Sequence, residues 1–75
     1  MERYFINQTN NTAVVIGGIR VLSEFTTDII VVTVYGAQIT VTGTGFKIAR
    51  FDENEIEVTG KIENVETTIS RKRAL

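Results

Sequence analysis

The chain has 75 residues, with eight lysines and arginines against nine acidic residues and a formal net charge of −1 at pH 7. This length fits one small domain, and the charge balance creates no global positive field that would attract nucleic acid or anionic lipid. The sequence contains no histidine, cysteine, tryptophan or proline. Zinc ligation by thiolate or imidazole, cysteine nucleophiles and histidine general bases are therefore excluded.

Alternating apolar and polar residues predict β-strands along the chain, and no segment shows convincing helical periodicity. In chain order we predict strands at 4–6, 12–16, 19–25, 29–35, 37–42, 46–51, 55–59 and 61–69. The turns between them are short and therefore favour antiparallel pairing, since a parallel crossover needs about a dozen residues or more. The sequence thus predicts one all-β domain, 1–75, built as a mostly antiparallel curled sheet or barrel-like meander. A short β-solenoid is the alternative, because repeated strand–glycine–strand units also suit stacked coils.

The two ends of the chain lie outside this pattern. Residues 70–75 include Arg71, Lys72 and Arg73, and we expect them to form a frayed basic tail beyond a core of roughly 4–69. Three terminal charges are a weak signal for phosphate or an anionic membrane surface.

No apolar run approaches the roughly 20 residues of a spanning helix, and the first residues lack signal-peptide character. We therefore expect no direct membrane span.

The sequence nearly repeats itself when it is shifted by 26 residues. The coinciding positions are mostly apolar or glycine: Ala13 with Ile39, Val15 with Val41, Gly17 with Gly43, Phe25 with Phe51, Ile30 with Ile56, Val32 with Val58 and Thr33 with Thr59. Two similar β-units of about 26 residues are therefore predicted to build most of the molecule. The same pattern predicts a shared core of Val15, Val21, Ile30, Val32, Ile39, Val41, Phe46, Ile48, Ile56 and Val58.

Three glycines each follow a valine and one further residue: Gly17, Gly43 and Gly60. A glycine within a strand pattern commonly marks a bulge or sharp bend, so we interpret these three as structural corners that curl the sheet. The functional alternative is a phosphate-binding loop at Gly43-Thr44-Gly45. Such a loop requires a following helix N-terminus and usually a lysine beside serine or threonine. A predicted strand follows instead, which favours the structural interpretation.

The two units differ at one pair of positions. Glu55 and Glu57 give the second unit a polar outer face, whereas Ile29 and Val31 occupy the equivalent positions of the first. The strand at 29–35 is therefore apolar on both faces, so it is either covered twice or exposes a surface that drives association. One interpretation is that the N-terminal strand at 4–6 folds across this face. The other is that Ile29 and Val31 form an interface for self-association or for a partner.

The remaining candidates for chemistry are carboxylates. The acidic side chains near the C-terminal strands are Glu53, Glu55, Glu57, Glu63 and Glu66. Charged residues at alternate strand positions usually form a solvated face, and acid–base catalysis needs a partly desolvated pocket. Asp52 and Asn54 have the spacing that opens a calcium loop, but the glycine and terminal glutamate of that loop are not at the required positions. We therefore predict no catalytic, metal or cofactor site.

The order and spacing of these β-signals resemble the YabP/YqfC family of sporulation proteins. The resemblance rests on Val15-Ile16-Gly17-Gly18-Ile19-Arg20-Val21, Phe25, Ile30-Val31-Val32-Thr33, Gly36, Ile39-Thr40-Val41-Thr42-Gly43, Phe46-Lys47-Ile48 and Glu55-Ile56-Glu57-Val58-Thr59-Gly60-Lys61-Ile62. These segments resemble the family's I-x-G-[VI] opening, its aromatic residue before an acidic turn, and its G-[KR]-I ending. The resemblance covers roughly 13–65. The opening is similar to the YabP branch, whereas the length of the segment 51–56 is closer to the YqfC branch.

The resemblance implies a role in endospore formation in a spore-forming bacterium. It places the protein in the cytoplasm of the mother cell, peripheral to the developing spore envelope, beside a membrane-protein partner. It implies no enzymatic activity and no cofactor, and it supplies no catalytic residue to transfer onto this chain.

We therefore expect a non-enzymatic structural or interaction protein. It would act through a sheet edge or the apolar strand, contacting either itself, as a homo-oligomer, or an envelope partner. The alternative is a small β-barrel module that binds nucleic acid. Such modules need exposed aromatic side chains on a basic groove, whereas Phe25, Phe46 and Phe51 follow the core pattern and the face residues are acidic. We expect no nucleic-acid partner.

Overall fold

The structure, a computed structural model, describes residues 4–69. These residues form six strands: β1 (Phe5–Thr9), β2 (Ala13–Gly17), β3 (Ile19–Phe25), β4 (Ile29–Val34), β5 (Ala37–Phe51) and β6 (Glu55–Ile69). All strands belong to one sheet in the order β1-β2-β6-β5-β4-β3, and every neighbouring pair is antiparallel. The predicted all-β antiparallel fold is confirmed, and no helix occurs within the described range. The tail predicted at 70–75 lies outside that range.

The sheet curls without closing, because its end strands β1 and β3 do not pair with each other. It is therefore an open curled sheet and not a complete barrel, and it is not a simple meander because β2 neighbours β6. The alternative of a β-solenoid is wrong, since the coils of a parallel β-helix stack in parallel, whereas all the pairings here are antiparallel.

The two longest strands, β5 and β6, form a hairpin that runs through both halves of the molecule. The sequence predicts an interruption in each strand near the glycines, but both strands continue for 15 residues. Shifts in the β5–β6 register between Thr42 and Gly43, and between Thr44 and Lys47, accommodate the irregular segment without ending the pairing. The start of β5 pairs with β4, and the start of β6 pairs with β2.

This arrangement divides the sheet into two halves. We call β3, β4, the start of β5 and the end of β6 the β4 half, and β1, β2, the start of β6 and the end of β5 the β2 half. Side chains from both halves are completely buried, including Ile16 and Ile56 in the β2 half and Ile30 and Ile39 in the β4 half. Since residues 4–69 provide no other layer, the inner faces of the two halves must cover each other.

One apolar cluster fills the space between the halves. Its buried members are Val14, Ile16, Ile19, Ile30, Val32, Val34, Ala37, Ile39, Val41, Phe46, Ile56, Val58 and Ile62. Burying each large aliphatic side chain contributes about 1.5–3 kcal/mol. No polar or charged side chain of the described residues is buried with them, so the cluster is held together by packing alone.

Most of the predicted core is correct. Seven of the ten predicted side chains are buried: Ile30, Val32, Ile39, Val41, Phe46, Ile56 and Val58. Ile48 is partly buried and packs against this cluster. The predictions for Val15 and Val21 are wrong: Val15 is half-buried on the outer face, and Val21 is 55% exposed.

Each error has a physical cause. On β2 the buried side chains are Val14 and Ile16. The 26-residue shift instead aligns Ala13 and Val15 with the buried residues Ile39 and Val41, so the two differ by one position. Because side chains alternate along a strand, a one-residue slip exchanges the inner and outer faces. On β3 the register with β4 shifts between Ile19 and Val21. This bulge places Ile19 inside and Val21 outside, although their spacing would normally put them on the same face.

The two predicted units make equivalent pairings. In the first unit β3 pairs with β4, and in the second the end of β5 pairs with the start of β6. The first strand of each unit instead crosses to the other unit, so that β2 pairs with β6 and the start of β5 pairs with β4. The units are therefore intertwined, and each supplies the sheet neighbour that the other lacks.

Candidate functional site

Ile29 and Val31 lie on the outer face of β4. Residues along this strand alternate strictly, with Ile30, Val32 and Val34 buried and Ile29 and Val31 half-buried. Adjacent strand residues point to opposite faces. The strand is thus apolar on both sides, as its sequence indicates.

The register defines what surrounds these two side chains. Residues paired across neighbouring strands share a face of the sheet. The β4 outer face therefore consists of Val21, Glu24, Ile29, Val31, Thr33, Gln38, Thr40, Thr42, Asn64, Glu66 and Thr68. Val31 lies between Glu24 on β3 and Thr40 on β5, and Ile29 lies opposite Thr42.

The β4 outer face combines an apolar stripe with negative charge. Thr40 pairs with Glu66 on β6, so carboxylates flank the Val31 row on both sides, at Glu24 and Glu66. No lysine or arginine belongs to this set of residues. Ser23 and Thr33 share a hydrogen bond of 2.9 Å between their hydroxyl groups. The face is thus a patch of aliphatic and threonine side chains bordered by acids.

The N-terminal strand does not cover this face. The prediction that residues 4–6 fold across β4 is wrong. β1 pairs with β2 from Phe5 opposite Gly17 to Thr9 opposite Ala13, at the end of the sheet remote from β3 and β4. Ile6 of β1 and the preceding Tyr4 are partly buried and pack against the core instead. Within residues 4–69, no strand forms a second layer over Ile29 and Val31.

The equivalent face of the β2 half carries ion pairs centred on one arginine. Arg50, near the end of β5, forms a salt bridge with Asp52, donates a 2.9 Å hydrogen bond to Glu55, and lies 3.6 Å from a Glu57 oxygen. The hydrogen bond to Glu55 is the main reason that the pKa of Arg50 is raised, and the charge of Asp52 adds to this effect. All four side chains are substantially exposed, so each pair contributes little to stability.

Charged residues at alternate positions predict only a solvated face at Glu55 and Glu57 and do not reveal their ion pairs with Arg50. The signal that could have revealed them is the hairpin turn itself. Once β5 and β6 pair around residues 52–54, Arg50 lies opposite Glu57 and Phe51 opposite Ile56. Opposite charges in cross-strand positions attract. The two outer faces therefore differ in kind: the β2 half carries an ionic cluster of one arginine and three carboxylates, whereas the β4 half carries an apolar patch.

The three predicted corner glycines occupy confined positions. Gly17 is buried at the end of β2 beneath the Phe5 ring, which a Cβ at this position would strike. A Cβ at Gly43 would collide with the carbonyl oxygen of Lys61 on β6. Gly60 has φ +145°, and its Cβ would lie 2.9 Å from the carbonyl oxygen of Gly45. At Gly43 and Gly60 the two long strands thus approach too closely for a side chain.

Two aromatic side chains assigned to the core lie partly outside it. Phe46 is buried, but Phe25 is 39% and Phe51 is 49% exposed. These two residues are the last of β3 and β5, beside the hairpin turns. At these ends of the sheet few side chains remain to cover the inner face. Exposed apolar surface is thus present near both hairpin turns as well as on the β4 outer face.

The described residues hold no arrangement suited to metal binding. No group of three or more aspartate, glutamate, histidine or cysteine side chains in 4–69 is placed to hold a metal ion. Every ionisable side chain in this range is at least partly exposed, whereas catalytic groups are typically activated by burial. The same residues include no helix with the length and apolar character needed to cross a bilayer.

These features define a small open antiparallel sheet whose distinctive surface is an uncovered apolar strand face. The family model described as the YabP family matches residues 2–74. This match spans nearly the whole chain, and the protein therefore belongs to the YabP family. Membership fits a sporulation-related role, and the family is not known as an enzyme family. No curated protein and no solved structure gives a significant match.

Proposed function

We propose that this protein is a non-enzymatic component of sporulation that binds a partner protein through the β4 outer face. The observation that carries the proposal is the position of Ile29 and Val31, which are apolar, half-buried and uncovered by any strand of residues 4–69. Apolar patches retained on the surface of a small domain commonly mark interaction sites. An exposed apolar patch on a strand rich in β-branched residues also carries a risk of aggregation. A bound partner would cover the patch and remove that risk.

The charges around the patch indicate the character of the partner. Glu24 and Glu66 border the Val31 row, and none of the residues paired across the β4 outer face is basic. The exposed Arg20 lies in the β3 bulge, 6.0 Å from the centre of the Tyr35 ring beyond the end of β4. A complementary surface would present aliphatic or aromatic side chains at its centre and lysine or arginine at its rim. In keeping with the family, the partner would be a protein of the developing spore envelope, met from the mother-cell cytoplasm.

The same charges disfavour the alternative function. A nucleic-acid-binding sheet places aromatic side chains on a basic groove. The central rows of the β4 outer face contain no aromatic residue and two carboxylates, so phosphate groups would be repelled. The acidic rim thus supports a protein partner.

The test replaces Ile29 and Val31 with glutamate, which imitates the second unit at Glu55 and Glu57. The matched control is Val15→Thr, a change at a half-buried valine on the outer face of the β2 half. Each variant would replace the natural gene in the spore-forming host. We expect the double variant to reduce the yield of heat-resistant spores at least tenfold, and the control to leave it unchanged.

Circular dichroism and protein level in the cell separate loss of the interface from loss of folding. If the double variant unfolds, the milder Ile29→Thr and Val31→Thr changes retain β-branching while removing apolar surface. Normal spore yield from a folded, normally abundant double variant would contradict the proposal.

A further inference from the structure

The two edges of the sheet are unequal. β1 pairs with β2 in an unbroken register from Phe5 to Thr9, whereas the β3–β4 register shifts twice. The residues of β1 carry no charge, and β3 contains Arg20 and Glu24. Bulges and charges are the usual devices that prevent an edge strand from accepting another strand. β3 has both devices and β1 has neither.

We propose that the β1 edge pairs antiparallel with the β1 edge of a second copy of this chain. Antiparallel pairing of a strand with itself requires a two-fold axis, and the five residues of β1 place that axis at Asn7. Asn7 then faces Asn7 of the second copy, Ile6 faces Gln8, and Phe5 faces Thr9. The two sheets become one continuous sheet.

Side chains on β1 are compatible with this arrangement. Pairing about Asn7 brings no like charges together, and the facing amide groups can hydrogen-bond to each other. Ile6 is half-buried, so it retains apolar surface that the second copy would cover. Phe5 is 41% exposed, and its ring is held against Gly17 on β2. Thr9 of the second copy would extend the cover over that ring.

The inequality of the edges also fixes the size of the assembly. If β1 could pair with β3 of another copy, each addition would leave a new open edge and an endless fibre would result. The bulges and charges of β3 oppose that contact. Pairing of β1 with β1 consumes the open edge of both copies. The assembly therefore stops at a dimer, and the β4 outer face of each copy stays available.

The test uses charge at the two-fold axis of the full chain. Asn7 is exposed, so Asn7→Lys and Asn7→Asp should each preserve the fold while placing like charges opposite each other. Sedimentation velocity over a concentration series should show a dimer for the natural chain and dissociation constants raised about tenfold or more for each variant alone. An equimolar mixture of the two variants should recover the dimer, because lysine then faces aspartate.

A matched control is Val21→Lys, which adds the same charge to an exposed position on the other edge strand. It should leave the dimer unchanged. The proposal is overturned if the natural chain remains monomeric at the highest soluble concentration, if Val21→Lys acts like Asn7→Lys, or if the mixed variants do not reassociate. Ile29→Glu with Val31→Glu should leave the dimer intact, so failure at the β1 edge and failure at the β4 outer face are distinguishable.

Discussion

The backbone N–H of Gly43 donates a 3.0 Å hydrogen bond to the carbonyl oxygen of Asp28. Its counterpart joins Gly18 to Asn54 at 2.8 Å, and Asn54 occupies the position in the second unit that Asp28 occupies in the first. Each unit's hairpin turn is thus held by a glycine-containing bend of the other. These reciprocal bonds fasten the intertwined units at both ends.

The first prediction concerns this dependence between the units. Cutting the chain in the turn between Tyr35 and Gly36 should yield two fragments that are each largely unfolded, because β2 loses β6 and β4 loses β5. An isolated hairpin is marginal in water. Mixed in equal amounts, the fragments should regain the β-signal of the intact chain in circular dichroism. Cooperative thermal unfolding by either fragment alone would refute the interdependence.

The second prediction concerns the faces of β2. Val14→Ala should lower the free energy of unfolding by about 2 kcal/mol, since it removes two methyl groups from a fully packed site. Val15→Ala makes the same chemical change one residue away, at a half-buried outer position, and should lower it by less than about 1 kcal/mol. Urea denaturation of both variants provides the comparison. A larger loss for Val15→Ala would mean that the strand faces the other way.

The third prediction concerns the closest approach of the long strands. Gly43→Ala should destabilise the fold by about 1–3 kcal/mol, because the new methyl group meets the Lys61 carbonyl and the backbone must move. The control is Gly36→Asn. Gly36 has φ +79° and no atom within 4 Å of an added Cβ, and asparagine tolerates that backbone conformation. Its cost should stay below about 1 kcal/mol.

Measuring both glycine variants by chemical denaturation and by amide hydrogen exchange would separate steric collision from backbone strain. Gly43→Ala should speed exchange locally in β5 and β6. Equal stability of the two variants would argue against Gly43 as a structural corner.

The alternation of apolar and polar residues is enough to predict the fold class, the strand locations and most of the core. Successive residues of a strand point to opposite faces, so the pattern assigns each residue to a face without knowledge of the neighbouring strand. The bounds of β3 agree fully with the prediction at 19–25. The same rule predicts the wrong face for Val21, because the bulge that turns its side chain outward depends on pairing with β4. The 26-residue shift gives the wrong face for Val15, because the buried positions of β2 are offset by one residue from those of β5.

The candidate surface was only partly predictable. Comparing Ile29 and Val31 with Glu55 and Glu57 is enough to show that β4 is apolar on its outer side. Whether that side is covered depends on strand order, because β1 could in principle lie at either end of the sheet. The ion pairs of Arg50 similarly require the β5–β6 register. Long-range pairing, which local sequence does not encode, decides all of these points.

The pairing of β2 with β6 has a consequence for how the protein is made. Val14 meets Val58, so the first hairpin acquires its inner neighbour only after the start of β6 has left the ribosome. Until then β2 presents apolar side chains and an unpaired edge to solvent. Contacts between residues so distant in sequence also slow folding. Nascent copies should therefore depend on chaperones during synthesis more than the small size of the domain suggests.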